Sequence, residues 1–386
     1  MALLPHAHEA VVRLGASLPF REAAEHLAAL LGLHLSAGTI CRQSEQAGRG
    51  ELAVQQEQAK PRADCPEEEA AECMVMSGDG AFVPLVHGVW GEVKQLAFGH
   101  IQQRENAQGE QESQSSHLSY FARLAEVSAF SDQASSEVRR RGIERAKVVV
   151  AVQDGAEWLQ GVVQDHRADA IRILDFAHAA QRVAAIGEQL RLMGHSLPAD
   201  WLSTLLHRLK HEGADGVLKH LHTSSEQVGR PEAIEEHLRY LCKRTAQMDY
   251  PTFRKQGYPI GSGIVESGNK VVMQARLKGA GMHWLPANVN PMLALRMALC
   301  NQRWQEGWAA QRRWHQVSRE ATRRHHHQQR LQSKQQKLAA LQALAAPAPV
   351  THSKPPAPSG RTEAQKRWGR QTFSPRMLRQ GGSAKI

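Results

Sequence analysis

Residues 147–176 constrain the fold more than any other stretch. Lys147-Val148-Val149-Val150-Ala151-Val152 is a nearly continuous apolar, β-branched run, the pattern of a strand buried on both faces. It stops at Gln153-Asp154-Gly155. A helix of roughly Ala156 to Asp165 follows, then a short strand, Ile171 to Leu174, which runs into Asp175-Phe176-Ala177-His178. Strand, helix and strand in so short a span make a βαβ unit, so the two strands are expected to be parallel neighbours. Asp154 then lies at the C-terminal end of a strand, where the sites of α/β proteins collect. An aspartate there is also a common helix cap, and His178 also suits an ordinary helix position.

A second strand group precedes this unit. Cys73 to Met76 form an apolar run ending at Ser77-Gly78-Asp79-Gly80, and Ala81–Val89 and Glu92–Ile101 read as two more strands, with Trp90-Gly91 opening the turn between them. The expectation is a meander whose first strand ends at Asp79, although an aspartate between glycines is also an ordinary turn residue. Residues 102–118 read as an exposed polar loop. Residues 119–142 read as a helix, apolar at Tyr120, Leu124, Val127 and Phe130 and ending in Arg139-Arg140-Arg141.

The third informative stretch is 258–284, YPIGSGIVESGNKVVMQARLKGAGMHW. Gly261 and Gly263 make a turn after a proline, Glu266 opens a helix, and Gly279 to Gly281 should end it. Lys270, Arg276 and Lys278 place cations beside a single carboxylate. That combination suits a metal ligand next to a phosphate backbone, and equally a solvated helix face. Between the second and third stretches, residues 179–257 carry helical spacing with Pro198 and Pro231 as punctuation, and are expected to be all helix.

Charge indicates the partner. The chain carries +10, but Asn301–Ile386 holds 17 Lys+Arg against Glu306, Glu320 and Glu363, or +14, leaving about −4 for the rest. A basic tail on a slightly acidic body suggests an arm for a polyanion, nucleic acid above all. Residues 20–47 read as two short helices, the second capped by Ser36 and presenting Arg42, which fits a helix-turn-helix whose second helix enters the major groove. Residues 48–72 read as a linker or solvated helix. Residues 287–315 read as a closing helix, with Trp304, Trp308 and Trp314 as core, base stacking being the alternative. A basic helix is expected from about His315 to Ala345, and a disordered Pro/Ser/Arg-rich end after it.

Other classes are disfavoured. The five cysteines are scattered with no CxxC, against a disulfide framework or a cysteine zinc ribbon, and a reduced cytosolic compartment follows. No apolar stretch approaches a membrane span, and residues 1–20 lack a secretory signal.

Asp79, Asp154 and Glu266 stand out as three carboxylates on two strand ends and a helix. A meander, a helix, a parallel strand, a helix, a strand and a final helix is the order of a ribonuclease-H-like fold, in which those positions converge. Three hard oxygen ligands there can hold two Mg²⁺, or Mn²⁺, ions. The expected fold is therefore α/β, with a ribonuclease-H-like core in two parts (70–180 and 258–315), an all-helical insertion (181–257), a helix-turn-helix region (1–60) and a basic, largely disordered tail (316–386).

At this point the chain resembles a known family. SGDGAFVPL with WGEVK (Ser77–Lys94), VQDGAEWL (Val152–Leu159), ILDFAHA (Ile173–Ala179) and IGSGIVES with RLKGAGMHW (Ile260–Trp284) are similar, in order, to the DDE transposases of bacterial insertion sequences of the ISKra type, distantly similar to the Mutator-like group. The resemblance covers roughly residues 8–310. It implies Asp79, Asp154 and Glu266 as the catalytic, metal-binding triad. It also implies Asp175 and His178 as the Asp-x-x-His signature supporting the site, and a bacterial, nucleoid-associated protein that acts as a homo-oligomer on transposon ends and target DNA. Arg42, Lys270, Arg276, Lys278 and Trp284 are the expected DNA contacts. Family members commonly carry more N-terminal sequence, often with a zinc-binding cysteine segment, and a small residue and cysteine are often seen where Ser267-Gly268-Asn269 follow the glutamate here. An N-terminally truncated reading frame is therefore expected. The rivals are a transposase-derived DNA-binding regulator, a ribonuclease-H-like nuclease without strand transfer, and a covalent recombinase. The last is disfavoured because Tyr120, Tyr240, Tyr250 and Tyr258 lack, in sequence, the Arg/His setting of a tyrosine nucleophile.

Overall fold

The computed structural model describes residues 4–60, 67–69, 71–105 and 111–345. Residues up to Thr322 form one compact unit and Arg323 onward a second. The expected disordered end, 346–386, lies outside the described residues.

The centre is a five-stranded mixed sheet in the order β3-β2-β1-β4-β5. β1 (Cys73–Pro84), β2 (Trp90–Glu105) and β3 (Gln111–Arg123) form an antiparallel meander. β4 (Val148–Gln153) joins β1 in parallel, and β5 (Ile171–Leu174) joins β4 in parallel. The βαβ unit is thus present as expected, its crossover being α5 (Glu157–His166).

The meander departs from expectation in its boundaries. β1 does not stop at Asp79 but continues to Pro84, with Asp79 paired to Gln95 and Gly80 to Lys94. The glycines that suggest a turn serve close packing instead. A methyl group on Gly78 would stand 2.2 Å from Leu159 Cδ2 on α5, and one on Gly80 2.5 Å from the Glu92 carboxylate. Residues 102–118 are not a simple loop, because they contribute the far end of β2 and most of β3. The expected helix over 119–142 begins only at Val127, as α4 (Val127–Arg141), with Tyr120 and Phe121 in the sheet core.

Three helices precede the sheet: α1 (Pro5–Ser17), α2 (Phe20–Leu31) and α3 (Ala37–Ala59). Ser36 caps α3 by accepting from the Thr39 amide at 3.2 Å, as its position predicts. Residues 48–59 are not a linker. They continue α3, which buries Ala47, Gly48, Gly50 and Glu51 along the body.

On one side of the sheet, Val75, Val150, Val152, Ile173 and Leu174 pack under α6 (Phe176–Leu192), α7 (Trp201–Glu212), α8 (Ala214–Gln227), α9 (Glu232–Cys242) and α10 (Tyr250–Lys255). Residues 179–257 contain no strand, as the spacing predicts. α11 (Gly263–Gly268) leads through a π-helical stretch, Asn269–Gln274, into α12 (Ala275–Leu277). The closing helix expected over 287–315 is broken. α13 (Pro286–Cys300) stops at a turn where Gln302 takes φ +59°, and α14 runs Trp304–Ala345. Trp304 and Trp308 are buried as expected, stacked at 5.9 Å, whereas Trp314 is only half-buried.

Candidate active site

Strand register assembles the site. The last β1/β4 pair is Gly78 with Gln153, and the last β4/β5 pair is Gln153 with Leu174. The next residues on these three strands are Asp79, Asp154 and Asp175. Adjacent parallel strands lie about 4.8 Å apart, so register alone makes neighbours of Asp79 and Asp154.

Their environments differ. Asp79 is half-buried, with Oδ1 accepting from the Gly80 amide at 2.7 Å and Oδ2 from Asn269 Nδ2 at 2.5 Å. Burial pushes its carboxyl above the ordinary value. The Asp154 charge adds to this, while the two hydrogen bonds and nearby His178 oppose it. Asp154 Oδ1 accepts from the Ala156 amide at 2.8 Å, so this residue also shapes the entry to α5. Asp175 is 1% exposed and fully committed. Its Oδ1 caps α6 through the amides of Ala177 and His178, at 2.7 and 3.1 Å, and its Oδ2 accepts from the Ser262 amide. Asp175 therefore fixes the approach to α11 rather than presenting a free carboxylate. His178 is half-buried in the first turn of α6.

Glu266 is exposed on α11. The helix is tied to the sheet on both sides of it. Gln95 Nε2, opposite Asp79 on β2, donates to the Val265 carbonyl at 3.2 Å, and Asn269 donates to Asp79. Gly268 permits this approach, since a methyl there would lie 2.2 Å from Gln95 Nε2. Residues three apart share a helix face, so Glu266 stands above the residue that contacts Asp79. The π-helical stretch that starts at Asn269 is a feature frequent at functional sites. Among the described residues, no three His, Cys, Asp or Glu side chains already surround a common metal position.

The loop carrying Asp154 is clamped from the helical region. Tyr240 OH donates to the Asp154 carbonyl, and Arg244, 6% exposed, donates to the Gly155 carbonyl at 2.5 Å. Gly155 takes φ +83°, and a methyl there would meet Arg244 Nε at 2.5 Å and Tyr240 OH at 2.6 Å. Two guanidiniums lie over the Tyr240 ring, Arg244 at 4.0 Å and Arg182 at 4.4 Å. The expectation that no tyrosine has an arginine setting is thus wrong for Tyr240. Its arginines come from α6 and from beyond α9, far apart in sequence. The phenol is nonetheless no ready nucleophile, because burial holds its pKa up and its proton is engaged by a carbonyl.

Two of the expected DNA contacts need correction. Arg276 is 1% exposed, donates to the Gly15 carbonyl at 3.0 Å and lies over Phe20 at 4.4 Å and Trp284 at 5.1 Å. Desolvation lowers its pKa to about 10. Trp284 is 7% exposed and donates to the Leu277 carbonyl at 3.1 Å. Both are buried where the N-terminal helices meet the body, Arg276 against Gly15 and Phe20 and Trp284 against Phe20. Lys270 and Lys278 are exposed, as is Arg42, whose Nη2 donates to Thr39 Oγ1 at 3.2 Å. Gln95, Tyr240 and Arg244 carry no sequence signal, since each acts through a partner remote in the chain.

Comparison with protein-family models and with curated proteins returned no match. Among the described residues, no helix is long and apolar enough to cross a membrane.

Proposed function

We propose that this protein is a DDE-type DNA transposase, related to those of ISKra-type insertion sequences, with a ribonuclease-H-like core. One observation carries the reading: Asp79 and Asp154 follow the last registered pair of adjacent parallel strands, and the Glu266 helix is tethered to Asp79 through Asn269. The strand order β3-β2-β1-β4-β5, with only the meander antiparallel, supports the core assignment.

The donor set suits a hard divalent cation. Two carboxylates side by side, one with its ionisation opposed by the other's charge, are relieved by shared positive charge. Asp79, Asp154 and Glu266 would hold two Mg²⁺ or Mn²⁺ ions. The chemistry such ions would supply there is a lowered pKa for an attacking water or 3′-hydroxyl and charge stabilisation of the leaving oxygen. The chain's own part is placement. Asn269 and the Gly80 amide orient Asp79, Tyr240 and Arg244 fix the Asp154 loop, and Asp175 sets where α11 begins. Lys270 and Lys278 supply exposed cations beside α11 for DNA phosphates, and Arg42 does so on α3. The partners are transposon ends and target DNA, with the protein acting as a homo-oligomer on DNA.

The test is a nicking and strand-transfer assay with Mg²⁺ or Mn²⁺ on DNA bearing the parent element's ends. Asp154→Asn should abolish both reactions while leaving gel-shift binding intact. Equal activity of mutant and wild type refutes the assignment. Cleavage without strand transfer in the wild type points to a nuclease instead.

A further inference from the structure

Two arginines lie over the Tyr240 ring, and they are used differently. Arg244 is buried and spent on the carbonyls of Gly155 and Tyr240 and on Glu157. Arg182 is half-buried, lies over the same ring at 4.4 Å and, among the described residues, makes one hydrogen bond, Nη1 to His237 Nδ1 at 3.2 Å. Because a guanidinium only donates, His237 accepts at Nδ1 and carries its own proton at Nε2. Burial, with Arg182's charge adding, holds the His237 pKa below its ordinary value, so the imidazole is neutral at pH 7. Arg182 is thus oriented by a ring and a neutral histidine, with no carboxylate among its ion pairs in the described residues.

Its position explains why a free cation is kept. Arg182 lies one helical turn beyond His178 on α6, on the same helix face, and His178 is near Asp79. The ring beneath Arg182 points its hydroxyl at the Asp154 carbonyl. A pre-oriented planar fork over the ring that clamps the Asp154 loop is suited to a phosphodiester, which presents paired oxygens.

We infer that Arg182, held by Tyr240 and His237, binds a backbone phosphate of the nucleic acid strand that enters the Asp79–Asp154 site. This rests on the reading of the substrate as DNA and adds a contact supported by α6 and α9 to those of Lys270 and Lys278 beside α11.

The experiment separates binding from chemistry by working in the Asp154→Asn background, so it needs no cleavage. DNA affinity is measured at several salt concentrations for the full chain with and without Arg182→Gln. Loss of one phosphate contact should weaken binding several-fold and lower the salt slope by about 1. Arg182→Lys, which keeps the charge, should retain the slope. A methylphosphonate scan along the DNA adds a readout independent of stability. The Arg182 protein should lose affinity at one neutralised position to which Arg182→Gln is indifferent. An unchanged salt slope in Arg182→Gln, or identical methylphosphonate profiles in the two proteins, overturns the inference. Failure of DNA to bind at all would instead count against the transposase reading.

Discussion

Asp79 keeps a carboxylate where burial and a neighbouring negative charge both oppose ionisation. A carboxyl whose pKa is raised on folding holds its proton where the unfolded chain has lost it. Stability from this group is therefore present at low pH and lost as pH rises through the raised value. Asp79→Asn should remove that penalty, and Asn269 can rotate to offer its buried, unpartnered Oδ1 to the new amide. The variant is expected to melt about 2 °C higher at pH 7.5, with the gain vanishing at acid pH, while losing cleavage. Melting curves at both pH values check the sign. Arg276→Ala should behave in the opposite way, costing about 2–4 kcal/mol by stripping cover from Phe20 and Trp284. Denaturant titration would read this, and any lost cleavage should track the lost folded protein. The strand end before Asp154 and the helix carrying Glu266 were legible because both have local signatures, whereas the place of Asp79 inside β1 was not. The burial of Arg276 was not, because its partners Gly15 and Phe20 lie far away in the chain.

Among the elements, α3 shows how little local pattern says about packing. Its backbone comes against α13 at Gly48, where a methyl would stand 2.4 Å from the Pro291 carbonyl. Gly48→Ala should lose about 1–3 kcal/mol in spite of alanine's better helix propensity, an outcome chemical denaturation can measure. The βαβ unit was readable almost to the residue, since apolar run, helix period and short strand follow in sequence. β1 and β3 were not. Gly78-Asp79-Gly80 mimics a turn, and its glycines are explained only by Leu159 and Glu92. β3 is polar over its first half, where it pairs at the sheet edge, so it lacks the apolar alternation that marks a strand.

For the whole molecule, the proposed function makes charge and compactness the terms that govern how DNA would be met. Residues 346–386 carry eight Lys+Arg and one Glu, a net +7. Their deletion should weaken binding to all DNA alike and flatten the salt dependence, because phosphate contacts strengthen binding without reading bases. Lys270→Ala with Lys278→Ala should instead damage strand transfer more than bulk binding. Gel shifts at two salt concentrations, run beside a strand-transfer assay, distinguish the two outcomes.

α3, which presents Arg42, belongs to the same compact unit as the carboxylates and packs closely on α13 at Gly48. If α3 reads the element's end, the molecule works as a fixed ruler. The span from the recognised bases to the cut is written into the α3–α13 contact. An extra base pair placed between them should leave the cut at its old distance from the recognised bases, so that it falls one base pair short of the element's edge.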